Sequence, residues 1–518
     1  MSDLWFGLIP LLPLSAFVWI GLGILFGFCR GEAGEKPTSL IALLFNLAAL
    51  VLLLTFTLFS LQGRLPARLE LFDWLHSGTV NIAVSFSTDR VSLLLASLVS
   101  VIAFLTMRFS IHYMHREAGY PRFFMILSLF HSAMLLIFLG GNAALVFTGW
   151  ELAGISSFLL IGYAFQRNTA VINANRAFIT NRIGDAGFIL SMFLCIVWLG
   201  DLEWQTITTK AADLDTFQAT LIASGFVIAA LAKSAAVPFS PWIARALEGP
   251  TPSSAVFYGS LMVHAGVFLI IRLEPVLLQS PPLLYLLGMI GVLTALYGFL
   301  SGLVQSDIKS ALIFSTTAQV GLMLLLCSLG WFTAASWYLA AHAAWRAFQF
   351  LSAPAVLNLI SRPARPVPAR LQRMHRLYTA ALHRFWLDNM ADSIFVRSTQ
   401  KLAAEMKTFD EKIIVPLVSL PAQTGAISSL AQWEHRKESY FNIAQQYIGR
   451  GAGVLGKLME RIAGGLHWFE ERMVLRSGSQ ELLQVIKRVG AYLQHADLLL
   501  SRPRYLWLLI LATFVVIL

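Results

Sequence analysis

Eleven apolar stretches of spanning length follow one another along this chain, near 4–29, 38–61, 91–110, 122–139, 143–164, 178–199, 219–237, 251–271, 283–304, 308–329 and 333–357. A helix rising about 1.5 Å per residue needs about 20 such residues to cross a hydrocarbon layer about 30 Å thick. Inside that layer backbone groups have no water to bond, so each stretch is expected to be an α-helix. The resulting fold class is all-α: a polytopic membrane helix bundle. Tyr505 to Leu518 adds an apolar run of marginal length, which brings the expectation to about 12 transmembrane helices. Hydrophobic residues make up 57% of the chain and charged residues 13%, with a mean hydropathy of +0.69. A soluble domain of this size is excluded. The N-terminus has no basic segment and no small-residue cleavage site, and reads as a retained first span.

The formal charge of +10 matters through its distribution, and nucleic acid is not an expected partner. Alternate loops gather Arg30 and Lys36, then Arg108, Arg116 and Arg122, then Arg167 and Arg176, then Arg245, and finally Arg362, Arg365, Arg370, Arg373 and Arg376. The opposite side carries the acidic loop DLEWQTITTKAADLDTF. Basic excess marks the cytoplasmic face, so the N-terminus is expected outside and the segment after the eleventh helix inside. Four regions result: N-terminal transmembrane helices over 1–84, a core over 85–360, an amphipathic helical tail over 361–502, and a membrane segment over 503–518. The tail begins with the proline- and arginine-rich SRPARPVPARLQRMHR, which cannot continue a helix. In 455–473 apolar residues recur at helical spacing; such a helix lies on the membrane interface or on the flank of the bundle. Cys29, Cys195 and Cys327 sit in separate apolar segments without metal-ligand spacing and read as packing residues.

Few ionisable groups lie inside the apolar stretches. Lys233 is five residues before Pro238, and an ammonium near the bilayer centre costs about 2.5–3.5 kcal/mol on insertion scales. Pro238 removes a backbone N–H, so the helix is expected to break beside a charge, the arrangement of an ion site. Snorkelling of the lysine to one membrane face is the competing reading. Glu151, in the otherwise uncharged ALVFTGWELAGISSFLLIGY, needs a cation or a proton, and Lys233 is the expected partner. Arg182 and Asp185 share one helix face and read as a structural pair or a support of the pathway. His264 and His342 lie deep in apolar runs, where histidine is either a titrating relay or a hydrogen-bonded packing group. Arg346, one turn after His342, cannot release its proton and can only hold a charge, water or an anion. Lys309 stands at a helix start beside Asp307. The proton pathway expected from the residues is therefore Glu151, Lys233, His264, His342 and Lys309, supported by Arg182, Asp185, Pro238 and Arg346. No nucleotide loop, haem or iron–sulfur cysteine set, or nucleophile–histidine–acid arrangement is present. No catalytic residue, metal ligand or cofactor is expected in the chain, whose lipid-facing surface makes membrane lipids a partner.

The runs GWELAGISSFLLIGY, RAFITNRIGDAGF, AKSAAVPFSPWIARALEGPTPSSA and SDIKSALIFSTTAQVGLM resemble the antiporter-like, proton-conducting membrane subunits of respiratory complex I and the Mrp antiporters, over about residues 85–357. The resemblance puts the family's glutamate on Glu151, its broken-helix lysine on Lys233 and its eleventh-helix histidine on His342. FWLDNMADSIFVRSTQKLAAEMKTFDEKIIVPLV is similar to the lateral-helix region of the family's largest member. This chain departs from the pattern in having Tyr258 where a histidine is usual, with His264 further on, and Arg346 where a lysine is usual. The family's second broken helix is missing, because the arginine-rich break comes at once. In these features the chain looks most similar to the membrane subunit of DAB-type inorganic-carbon accumulation complexes. That likeness implies a bacterial inner membrane, a proton or sodium flux, and a zinc-dependent, carbonic-anhydrase-like cytoplasmic partner that would hold the zinc.

Overall fold

Each of the eleven apolar stretches is helical over most of its length in the computed structural model, which describes residues 2–29, 31–77, 80–359 and 374–414. The first two helices are α1 (Ser2–Leu25) and α2 (Glu35–Leu61), succeeded by a hairpin of β1 (Arg68–Ser77) and β2 (Val80–Ser87). Then come α3 (Arg90–Tyr113), α4 (Tyr120–Leu139), α5 (Ala143–Ile161), α6 (Asn168–Leu199), the short α7 (Trp204–Thr209) and α8 (Thr216–Lys233). Beyond a break lie α9 (Pro241–Arg245), α10 (Thr251–Ser254) running through a π-helical turn (Ala255–Ser260) into α11 (Met262–Arg272), and the short α12 (Glu274–Leu278). The bundle continues with α13 (Pro281–Leu303), α14 (Ile308–Ser328) and α15 (Phe332–Leu359). Among the described residues ten helices are long and apolar enough to cross a membrane, and α15 adds 28 residues of helix. The chain divides into two units, Met1–Gln400 and Lys401–Leu518. Of the second, residues 401–414 are described: helix to Phe409, then a π-helical turn, Asp410–Ile414.

The helices start where side chains supply the donors' missing acceptors. Asp89, Asn142 and Asp307 accept from Ser92 N, Leu145 N and Ser310 N to cap α3, α5 and α14, and Asp215 with Gln218 makes a capping box for α8. Each such cap contributes about 1 kcal/mol. Helices α6 and α8 approach closely where Gly187 and Gly225 bring the two backbones together. A Cβ on Gly187 would lie 2.7 Å from the Gly225 carbonyl oxygen. Small residues at a crossing are how membrane helices gain close packing in the absence of a hydrophobic drive. Gly187→Val is therefore expected to push α6 from α8 and cost about 1–3 kcal/mol, read as a lower thermal midpoint in detergent; an unchanged midpoint would contradict this packing.

An antiparallel hairpin follows the two N-terminal helices: Arg68 pairs with Ser87 and Leu75 with Ile82. It is clamped to the bundle by buried polar groups. Ser85 and Asn142 donate to the Glu203 carboxylate at 2.9 and 3.1 Å, and Arg68 Nε lies 3.1 Å from it. Burial pushes the Glu203 carboxyl above its usual range despite these donors. Just past the end of β2, Arg272 Nη2, at the end of α11, lies 3.2 Å from Asp89, and Nη1 lies 3.1 Å from Ser87. Burial raises the Asp89 carboxyl, but the Arg272 guanidinium and the Ser92 donors outweigh it and hold the group below the usual carboxylate range. A depressed folded value stabilises above the unfolded one and is lost as pH falls through the folded one. Asp89→Asn, which keeps a capping residue, should cost about 1 kcal/mol or less at neutral pH and nothing in strong acid. Melting of wild type and variant at both pH values checks the convergence.

Of the expected amphipathic tail, residues 374–414 are described and contain the helices His375–Leu382, Leu387–Ala391 and Arg397–Phe409. The helix expected over 455–473, the final span at Tyr505 to Leu518, and Arg30, Arg362, Arg365, Arg370 and Arg373 lie outside the described residues.

Candidate functional site

The helix carrying Lys233 ends on that residue, and the groups its break would leave unpaired are satisfied by neighbouring elements. Ala235 turns the chain through a left-handed conformation, φ 52°. Ala236 N bonds the Leu231 carbonyl at 2.9 Å, and the Trp242 indole N–H from α9 donates to the Ala232 carbonyl at 2.9 Å. Val237 N donates to Thr294 Oγ1 of α13 at 3.0 Å, and Ser234 Oγ donates to the Val263 carbonyl of α11 at 2.7 Å. The interruption expected at Pro238 is therefore present and held open by side chains, as a membrane interior requires. It leaves the lysine at a helix C-terminus, where the backbone dipole favours a cation.

Lys233 is 1% exposed, so its amine does not reach a membrane face. The amine donates to the Trp150 carbonyl of α5 at 3.0 Å and stands 5.0 Å from the centroid of that tryptophan's ring. Trp150 in turn donates its indole N–H to Asp185 Oδ1 of α6 at 3.0 Å. Gly154 of α5 lies against the same amine: a Cβ on it would stand 3.5 Å away, at ordinary contact distance. The expected Glu151–Lys233 contact is corrected: Glu151 is ion-paired with Arg182, which also lies 3.7 Å from Asp185, and among the described residues no carboxylate oxygen is within 4.0 Å of the lysine. Glu151 Oε1 is buried without a partner among them. Glu151, Arg182, Asp185, Trp150 and Lys233 thus form one cluster on three helices.

A second cluster lies beside the first. The π-helical turn before α11, with Leu261 N bonded to the Val256 carbonyl at 2.9 Å, inserts an extra residue and changes the register of α11. His264 then meets His342 of α15, Nε2 to Nδ1 at 2.9 Å, both rings buried. Arg346 Nη2 lies 3.3 Å from His342 Nε2 and donates to Ser315 Oγ of α14 at 2.9 Å. The Ser234–Val263 bond joins the residues next to Lys233 and His264, so the clusters adjoin. Tyr258 is buried in the π-helical turn against Trp242, with ring centroids 6.0 Å apart. Lys309 is half-buried at the start of α14, with no hydrogen bond or ion pair among the described residues; six residues, about 9 Å of helix axis, separate it from Ser315.

The arrangement offers groups that take up and release protons, namely Glu151, Asp185, Lys233, His264 and His342, between two guanidiniums that do not. Among the described residues no set of three or more potential metal ligands exists. Sequence reasoning misses two residues. Trp150 bridges lysine and aspartate but carries no charge to signal this. His131 of α4 is fully buried between Asn46, 2.5 Å from Nδ1, and Ser100, 2.8 Å from Nε2; a histidine in the apolar run FHSAMLLIFL is the available signal.

Comparison with known proteins gives consistent matches. Residues 140–381 match the family described as NADH:quinone oxidoreductase/Mrp antiporter, TM, and residues 74–124 the one described as NADH-ubiquinone oxidoreductase (complex I), chain 5 N-terminus. NAD(P)H-quinone oxidoreductase subunit 5, organellar chromatophore 1, of Paulinella chromatophora is 34% identical over 71% of this chain and 56% of its own. The chloroplastic subunit 5 of Nephroselmis olivacea is 36% identical over 71% of this chain and 58% of its own. NADH-ubiquinone oxidoreductase chain 5 of Neurospora crassa is 33% identical over 68% and 48%. The chain thus spans little more than half the length of the first two relatives. A chain in the structure of the Mrp complex from Dietzia sp. superposes with a TM-score of 0.60 at 20% identity, covering 98% of this chain and 62% of that one, a likeness of fold.

Proposed function

Since this chain belongs to the antiporter-like membrane subunits of the complex I and Mrp type, we propose that it translocates protons through Lys233 to energise a cytoplasmic partner. The observation that carries this reading is a fully buried amine at a helix break, without a carboxylate against it, adjoining a buried histidine pair. A buried ionisable group without a direct ion pair is costly to keep as packing, and in membrane helices such groups mark ion and proton paths. The path runs among Glu151, Asp185, Lys233, His264 and His342, with Arg182 setting the field at one end. Sodium is the alternative cation.

The work we assign to this flux is inorganic-carbon accumulation, conversion of carbon dioxide to bicarbonate by a zinc-dependent, carbonic-anhydrase-like partner in a bacterial inner membrane. Support comes from the resemblance of FYGSLMVHAGVFLIIR and HAAWRAFQFL, with His264 and Arg346, to the DAB-type membrane subunit. The names of the relatives favour a second reading, a proton-pumping module of a quinone-reducing complex. Purification of the intact complex from membranes decides between them. A zinc-containing partner, and carbon dioxide hydration that stops when a protonophore collapses the gradient, is the expected result. Redox subunits and quinone-dependent activity would replace it with the second reading. A partner that works unaffected by the gradient would reduce the chain to an anchor.

A further inference from the structure

We propose that Arg346 is a gate: in its present contact it holds the His264–His342 pair neutral, and it must leave before the pair can pass a proton. The inference rests on the translocation reading and adds to it a residue and an order of events.

Guanidinium has donors and no acceptor, so with Arg346 Nη2 at 3.3 Å, His342 Nε2 must be the acceptor. The single proton of neutral His342 is then on Nδ1 and is donated to His264 Nε2 at 2.9 Å. His264 carries its own proton on Nδ1, and that nitrogen is buried with no partner among the described residues. One donor-only side chain thus sets both tautomers.

The count of protons does the rest. Two protons sit on four ring nitrogens, one of them shared between the rings. A third proton on the pair requires N–H at both outer nitrogens, His264 Nδ1 and His342 Nε2. The second would set a donor against a donor, and a cation against a cation, at the Arg346 contact. The pair is therefore not loaded while the guanidinium stays. Once it moves, a proton taken up at His342 Nε2 shifts the shared proton from His342 Nδ1 to His264 Nε2. The Nδ1 proton of His264 is released. One proton enters, one leaves, and no electrons are exchanged.

The surroundings permit that movement. Among the described residues no carboxylate is ion-paired with the guanidinium to hold it in place, and the nearby Ser315 hydroxyl already shares Nη2. Gln349, three residues on along α15, has a buried carboxamide oxygen with no donor, and Arg346 Nε is a buried donor with no acceptor. An orphaned acceptor and an orphaned donor this close in sequence on one helix supply the second resting place.

The test reads ring nitrogens directly. The intact complex is labelled with 15N-histidine, embedded in lipid and studied by solid-state NMR at neutral pH, with His264→Asn and His342→Asn variants to assign the two rings. The wild type is expected to show both rings neutral with the proton on Nδ1. Arg346→Gln should bring in an Nε2–H or imidazolium form of His342, and Arg346→Lys, which keeps a donor-only cation, should restore the wild-type tautomer. A proton on His342 Nε2 in the wild type overturns the proposal by itself, whether or not a variant folds. So does a ring spectrum of Arg346→Gln identical to that of wild type. Because no flux is measured, these outcomes are separate from the transport reading, which stands or falls on Lys233.

Discussion

Replacing Lys233 with alanine is expected to abolish proton flux while leaving the complex assembled. The side chain occupies a C-terminal position on α8, with its amine on one backbone carbonyl and one ring face. Its removal leaves Glu151 on Arg182, and Asp185 on the Trp150 indole with Arg182 3.7 Å away. The Trp150 carbonyl loses only a contact made in addition to its place in α5. The cost to stability is therefore that of a buried side chain truncated to alanine, about 2–5 kcal/mol, spread over a large bundle. The loss of flux is expected to be complete, because among the described residues no other titratable group stands at the break. Recovery of the complex by size-exclusion chromatography, together with pH-dye quenching in reconstituted vesicles, measures both. Preserved flux would remove the transport reading.

The second large effect is expected at Glu151. Neutralising it as Glu151→Gln strands Arg182, whose remaining carboxylate is Asp185 at 3.7 Å. Arg182 should then turn to Asp185 and draw that negative charge from the neighbourhood of Lys233. Breaking a buried pair costs about 3–5 kcal/mol, but the Arg182 side chain is 38% exposed, so solvent screening reduces this to about 1–2 kcal/mol. Lost at the transport barrier, the same energy lowers flux about 5- to 30-fold. Combining the change with Arg182→Gln separates a packing pair from a working one. The double variant should regain stability, because neither charge is left alone, while flux stays low because the field at Lys233 has gone. Recovery of both together would make the pair purely structural.

How much of this is legible in the sequence depends on what each signal measures. Hydropathy over spanning lengths locates helices, because a bilayer leaves no other solution for such stretches. A lone lysine before Pro238 locates the break, because both carry a cost that only a particular environment offsets. The partner of Glu151 is not legible, for a geometrical reason. Trp150 and Glu151 are neighbours, and neighbours on a helix point about 100° apart. Glu151 meets Arg182 on α6, while Lys233 of α8 takes the Trp150 carbonyl and ring, and sequence alone does not say which residue of α5 the lysine meets. His264 and His342 are each visible, but their contact depends on the register change in the π-helical turn. The hairpin over Arg68–Ser87 stays hidden because LELFDWLHS breaks the period-two alternation at Leu71–Phe72 and Trp74–Leu75, where the ladder shifts register, and is too short for a search tuned to spans.

The most direct measurement of the central claim is proton flux through a Lys233→Arg variant in vesicles holding the intact complex. Arginine keeps the positive charge but does not release its proton at accessible pH. If Lys233 carries protons, assembly should survive and flux should vanish. If flux persists at the wild-type rate, the buried amine serves as a fixed charge, and the account of this site is wrong.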